Sequence, residues 1–365
     1  MKINKENNLD FRTALSYDDV SIVPRYSEII SRRDIDTTTR FSRRVLLKNP
    51  IVSANMNTVT GSEMASAMAR YGGLGVLHRF NSIEEEVEEV RKVKKSKTEP
   101  ESSVDKDGRL LVGVAVGLKD GVDRAGALIR AGADVIVIDI AHGHYKRCID
   151  LIKQLKQKFP DIDIVAGNVV TKDGAEALIM AGVDAVKVGI GPGAACSTRI
   201  VAGAGIPQFT AVLDCVSVAR EYDVPIIADG GIKSSGDIAK AIGAGASTVM
   251  IGNLLAGCSE SPGEKFTESG EVYKMYMGSA SQEVSFSRFL KEGINELKDR
   301  EPEGVAYKIL FKGDAKNVIQ RLRDGFQSGM SYSGANNIKE FWEKVDFVRI
   351  TEFGYRESLP REWQT

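Results

Sequence analysis

Between Gly189 and Arg199 the chain reads Gly-Ile-Gly-Pro-Gly-Ala-Ala-Cys-Ser-Thr-Arg, which sets one thiol, Cys196, and one hydroxyl, Thr198, at the end of a glycine-rich turn. Glycines and a proline in so short a run let the backbone bend tightly and turn free N–H groups toward an anion. A cysteine held there can attack an electrophilic carbon of a phosphate-bearing ligand, with the threonine in reach of the same centre. A lone cysteine is more often an inert core residue, so the surroundings must decide. Two further turns, Asp229-Gly230-Gly231-Ile232 and Gly252-Asn253, each follow an apolar run and suit a phosphate cradle made of loop amides. Asp229 itself suits a ribose diol, because a carboxylate accepts hydrogen bonds from two hydroxyls but repels a phosphate.

The elements that must carry these groups are legible as an alternation. Short β-branched or apolar runs fall at 50–53, 73–77, 111–116, 135–140, 162–166, 185–188, 225–228 and 248–251, and read as buried parallel strands. Amphipathic helical patterns lie between them at 62–71, 83–95, 121–131, 145–158, 172–181 and 236–244, several ending in Ala-Gly before the next run. Eight such units predict a (β/α)8 barrel in a single domain covering residues 1–365. Chemistry in such barrels gathers at the C-terminal ends of the strands. Asn55, Asn57, His78, Arg79, Asp139, His142, His144, Asn168, the Cys196 loop, Asp229 and Asn253 all stand just past those ends.

After the eighth strand the alternation breaks. Residues 258–312 form a polar excursion with a hairpin pattern at 266–273, and an insertion this long in a compact barrel reads as an active-site flap. A helical pattern resumes at 315–326, and residues 350–365 read as a C-terminal tail.

Composition narrows the classes. The 365 residues are 42% hydrophobic, enough for a large core, and 49 Lys plus Arg balance 50 Asp plus Glu. That balance argues against general nucleic-acid binding. The four cysteines are far apart with no CxxC pair, unlike a zinc site or a disulfide framework, and suggest a reducing, cytoplasmic setting. No stretch approaches the ~20 apolar residues of a membrane span.

The Gly189 to Arg199 run, with Asp229-Gly230-Gly231, Gly203-Ala204-Gly205-Ile206-Pro207-Gln208 and Met330-Ser331-Tyr332-Ser333-Gly334-Ala335, resembles the IMP dehydrogenase and GMP reductase family over residues 15–360. The resemblance implies a purine nucleotide with C2 against the thiol, a covalent thioimidate, and hydride exchange with NADPH or NAD. It would make Cys196 the nucleophile and Thr198 with Glu303 the acid/base pair. Ser53, Gly193, Asp229, Gly231, Gly252, Asn253, Tyr276, Gly278 and Ser279 would hold the nucleotide, and Asp139, Ala141 and Asn168 the cofactor. It also implies a homotetramer and a K+ ion on the carbonyls of Gly191, Gly193 and Cys196. Ala194 departs from the family's usual phosphate-contacting serine, which removes one hydrogen bond worth about 1 kcal/mol.

Which reaction follows depends on the flap. By this resemblance, many dehydrogenases carry tandem regulatory modules between the second and third strands, though some lack them, and an Arg-Tyr pair that activates water. Here residues 96–108 form only a short polar link, and no Arg-Tyr occurs between Gly278 and Glu303; the nearest substitute is Arg288-Phe289. Ala54-Asn55-Met56, His78-Arg79-Phe80 and Gly278-Ser279-Ala280-Ser281 look reductase-like, whereas Pro302-Glu303-Gly304-Val305 and Ile200-Val201-Ala202-Gly203 look dehydrogenase-like. The reading is therefore GMP reductase, with IMP dehydrogenase as the alternative and a non-catalytic nucleotide-binding protein as a remote one.

Overall fold

The computed structural model describes residues 11–286 and 301–360. Eight parallel strands close into a barrel: β1 Ile51–Ser53, β2 Leu74–Leu77, β3 Gly113–Val116, β4 Val135–Asp139, β5 Asp163–Val169, β6 Ala185–Val188, β7 Ile226–Asp229 and β8 Thr248–Ile251. Each pairs with its sequence neighbour, and β8 pairs with β1 to complete the ring. Helices α1 Ser62–Arg70, α2 Ile83–Lys95, α3 Gly121–Ala131, α4 Lys146–Lys158, α5 Lys172–Met180, α6 Gln208–Ala219, α7 Ser235–Gly243 and α8 Ala315–Tyr332 follow the strands in turn. The expected (β/α)8 barrel is the fold.

Strand periodicity explains both the core and the site. On β4, Ile136 and Ile138 pack against the helices while Val135 and Val137 fill the lumen with Val52, Val76, Val165, Ala185, Ile227 and Met250. Successive side chains point to opposite faces. The next inward positions beyond this apolar layer are therefore Asp139 on β4, Lys187 on β6 and Asp229 on β7. The same alternation that packs the barrel delivers three charges to its mouth.

Helix starts are fixed locally. Ser82 and Glu85 form a capping box at α2, Ser234 and Asp237 another at α7, and Thr171 caps α5. The connection from α2 to β3 runs along the opposite, N-terminal end of the strands. There Val104 pairs with Leu110 across a short turn, and Lys94 bonds Asp105 and Asp134.

The excursion after β8 is a three-stranded antiparallel sheet. The anticipated hairpin appears as β9 Phe266–Glu268 and β10 Glu271–Met277, and β11 Ala306–Leu310 joins it as a strand that the sequence pattern did not suggest. Arg288-Phe289 lies outside the described residues. Near the chain ends, Val20–Ile22 pairs antiparallel with Phe347–Arg349. The described part of the tail adds a helix, Glu352–Glu357, capped by Thr351. Among the described residues no helix is long and apolar enough to cross a membrane.

Candidate active site

The deepest part of the mouth is a charged cluster. Lys187, only 2% exposed, donates to Asp229 Oδ2 at 2.6 Å and to Asn168 Oδ1, and lies 3.5 Å from Asp139 Oδ1. Arg79, just past β2, stands 3.7 Å from Asp139 Oδ2. Burial alone would push the Asp139 carboxyl up, but Lys187, Arg79 and a hydrogen bond from Asn55 hold it below its ordinary value. Burial would likewise pull Lys187 down, and the Asp229 and Asp139 carboxylates hold it above its ordinary value. The cluster thus sets two basic side chains, Lys187 and Arg79, among two carboxyl groups, Asp139 and Asp229. Lys187 is the residue that sequence reading missed: it stands inside an apolar run, and a charge there, at an inward position of a barrel strand, was the available signal.

Asn168 donates Nδ2 to the Gly189 carbonyl at 2.6 Å and to Asp229 Oδ2 at 2.9 Å. Its amide is taken up within the protein, so it braces the site. Asp229 keeps Oδ1 without a partner among the described residues, which suits a ligand hydroxyl. Ala141 is exposed on the loop after β4.

The cysteine loop leaves β6 at Gly189, where φ is +147° and a Cβ would lie 2.0 Å from the Asp229 carbonyl; only glycine allows the two strand ends to approach so closely. Cys196 is exposed, and its Sγ donates to Thr198 Oγ1 at 3.2 Å. The flap reaches this loop through its main chain. Ser197 N–H donates to the Glu303 carbonyl, Val305 N–H to the Ala195 carbonyl and Gly278 N–H to the Val305 carbonyl, each at 3.0 Å. Cys196, Thr198, Glu303 and Gly278 therefore come together, with Glu303 half-buried beside the thiol loop. Ser279 is half-buried next to Gly278.

Opposite the thiol loop, the Gly230-Gly231 turn packs on it, a Cβ at Gly230 falling 3.2 Å from the Gly193 nitrogen. Gly252 opens the helical turn Asn253–Ala256, and a Cβ there would meet the Tyr276 hydroxyl at 2.9 Å and Met56 Sδ at 3.1 Å. Burial pushes the Tyr276 phenol up, keeping it a neutral donor. Asn253 Nδ2 donates to the Tyr307 hydroxyl at 3.0 Å.

One expected substrate residue is displaced from this picture. Ser53 is fully buried at the end of β1, and its hydroxyl accepts from Thr60 at 2.9 Å, so its side chain does not reach the opening. Its residue type suited a ligand contact; the packing of the β1 loop uses it instead.

An exposed thiol at the C-terminal mouth of a (β/α)8 barrel, flanked by glycine turns and a carboxylate with a free oxygen, is the site of a barrel enzyme suited to a phosphorylated ligand. Residues 14–361 match the family model "IMP dehydrogenase / GMP reductase domain". The chain belongs to that family. It is 42% identical to inosine-5′-monophosphate dehydrogenase of Cryptosporidium parvum, with 94% of each chain covered. It is 39% identical to that of Aquifex aeolicus, with 95% of each covered. Among solved structures, a GMP reductase variant of Trypanosoma brucei in complex with guanosine 5′-monophosphate superposes with a TM-score of 0.93 at 37% identity, covering 96% of this chain and 98% of that one. The relatives named here are oxidoreductases of purine nucleotides, and so is the family to which this chain belongs.

Proposed function

We propose that the protein is a GMP reductase, converting GMP, NADPH and a proton to IMP, ammonia and NADP. The observation that supports this direction is the flap: between Gly278 and Glu303 it has no Arg-Tyr pair to activate water, while its Glu303 segment docks on the loop that carries Cys196 and Thr198. In this reading Cys196 Sγ adds to C2 of the purine, the C2–N bond breaks, and Thr198 with Glu303 protonates the departing amine. The dihydronicotinamide supplies the hydride that reduces C2. The C–S bond then breaks and returns the thiol. Asp229 Oδ1 accepts from the ribose hydroxyls. Gly193, Gly231, Gly252 and Asn253 offer main-chain and amide donors to the phosphate, and Tyr276, Gly278 and Ser279 line the nucleotide side.

Asp139, held ionised and close to the exposed loop at Ala141, fits the hydroxyls of a nicotinamide nucleotide; Asn168 serves by fixing Asp229. The carbonyls of Gly191, Gly193 and Cys196 are the donor type that K+ takes, and the Gly193 carbonyl accepts the Cys196 N–H with one lone pair to spare. The homotetramer and the cytoplasmic setting belong to the same reading.

IMP dehydrogenase is the second reading, favoured by the 42% identity to the Cryptosporidium enzyme and by Pro302-Glu303-Gly304-Val305. Absorbance at the nicotinamide band separates the two. Loss of NADPH on adding GMP is expected; formation of NADH from IMP and NAD, with no turnover of GMP, would overturn the assignment.

A further inference from the structure

The flap sheet touches the barrel at two neighbouring places on the same pair of strands. Where they end, β10 and β11 run into Gly278 and Val305: Gly278 N–H donates to the Val305 carbonyl, Val305 N–H to the Ala195 carbonyl beside the thiol, and Ser197 N–H to the Glu303 carbonyl. Two residues further in along each strand they grip the turn that opens with Gly252. Tyr276 lies against Gly252, and Tyr307, its cross-strand partner, accepts from Asn253 Nδ2 at 3.0 Å. The two rings meet edge to face at 5.4 Å. The far side of that turn is tied as well. Lys312 Nζ donates to the carbonyls of Asn253 at 3.4 Å and Leu254 at 3.2 Å, and buried Lys274 donates to the Cys258 carbonyl at 3.1 Å.

A hydrogen-bonded strand pair is stiff, so a small movement at Tyr276 and Tyr307 is transmitted to Gly278 and Val305, two residues away on each strand. We propose that the β10–β11 pair is a strap that couples occupancy of the 252–253 turn by a phosphate to the placement of the Cys196 loop, with Tyr307 as the positioning residue against that turn. Tyr307 touches neither the thiol nor the purine. It acts by holding the Asn253 amide, whose own orientation a bound phosphate monoester sets. The proposal rests on the 252–253 turn being the phosphate cradle and is independent of the direction of hydride transfer.

The test uses the thiol as reporter. Cys148, Cys215 and Cys258 are buried and Cys196 is exposed, so alkylation by iodoacetamide in the folded protein reads Cys196. Ribose 5-phosphate carries the phosphate and sugar without the purine that would cover the thiol. Its binding is measured by calorimetry and its effect on the alkylation rate is compared in the native protein and in Tyr307→Phe, with a melting curve confirming that the variant is folded. At saturating ribose 5-phosphate the native rate is expected to change by at least about fivefold. In Tyr307→Phe, with binding retained, the change is expected to fall below about twofold, and Lys312→Met is expected to weaken it in the same sense. Equal responses in the native protein and Tyr307→Phe would show simple shielding and overturn the strap, as would binding with no change of rate in the native protein. Absence of binding to the native protein would overturn the phosphate reading of the turn and the proposal with it.

Discussion

The two ends of the barrel use aspartate in opposite ways. At the N-terminal end, Asp163 accepts from Ser42 Oγ, Arg44 N and Arg44 Nε at 2.6–2.7 Å. Asp184 accepts from Ile164 N and Lys156 Nζ, both at 2.8 Å, and Asp134 from Val112 N and Lys94 Nζ. These carboxylates tie helices and main chain to the starts of strands. At the mouth, Asp229 spends one oxygen on Lys187 and Asn168 and keeps the other, and Asp139 sits 3.5–3.7 Å from its two cations. The same residue type at both ends of the strands serves folding where its acceptors are used up. Where capacity remains, it is free to meet a ligand.

That contrast is exposed to mutation at both ends. The largest effect is expected at the mouth with Cys196→Ala. Turnover in either direction should fall on the order of 10⁶-fold, while the melting temperature barely moves, since the thiol is exposed. Surviving turnover would rule out covalent catalysis. Next comes Lys187→Met, which leaves two carboxylates without their shared cation. Stability should fall by about 3–5 kcal/mol, and kcat/KM measured below the melting range by about 100-fold as Asp229 loses its orientation. Lys187→Arg should recover part of both.

At the opposite end, Asp184→Ala should lower stability by about 1–3 kcal/mol, because the Ile164 N–H loses its acceptor. The kinetic constants of the folded enzyme should stay put, and a comparable loss of kcat would erase the distinction drawn between the two ends. The smallest effect is a count. Burial pushes the Cys148 thiol up to about 11 and Cys215 and Cys258 up to about 12. Mass spectrometry after mild alkylation near pH 8 should therefore find one modified cysteine in the folded protein and four after denaturation.

The sequence showed the barrel well because its signals are local. All eight strands lie where apolar runs end at polar residues, and α2 and α3 span the anticipated residues. The misses are non-local or compositional. Helix α6 leaves little trace in the sequence because Gln208–Ala219 is apolar on most sides and shows little amphipathic contrast. Helix α8 runs on to Tyr332, past 326, because Gly325 and Gly329 interrupt its pattern while packing against Ser235 and Ala239. Strand β11 and the Val20–Ile22 pairing depend on partners far along the chain. Lys187 is the instructive case at the site. Its role exists only through Asp139, Asn168 and Asp229, contributed by three other strands, so no window of sequence around it could show the cluster.

The link between α2 and β3 has a consequence for how such a chain changes over time. It turns back beneath the barrel, at the end remote from the thiol, and the Aquifex relative aligns over 466 positions, more than this chain possesses. Extra modules grafted onto that underside would hang below the catalytic chamber like baggage under a carriage. Residues inserted there would leave the hydrogen bonds that hold the Cys196 loop untouched.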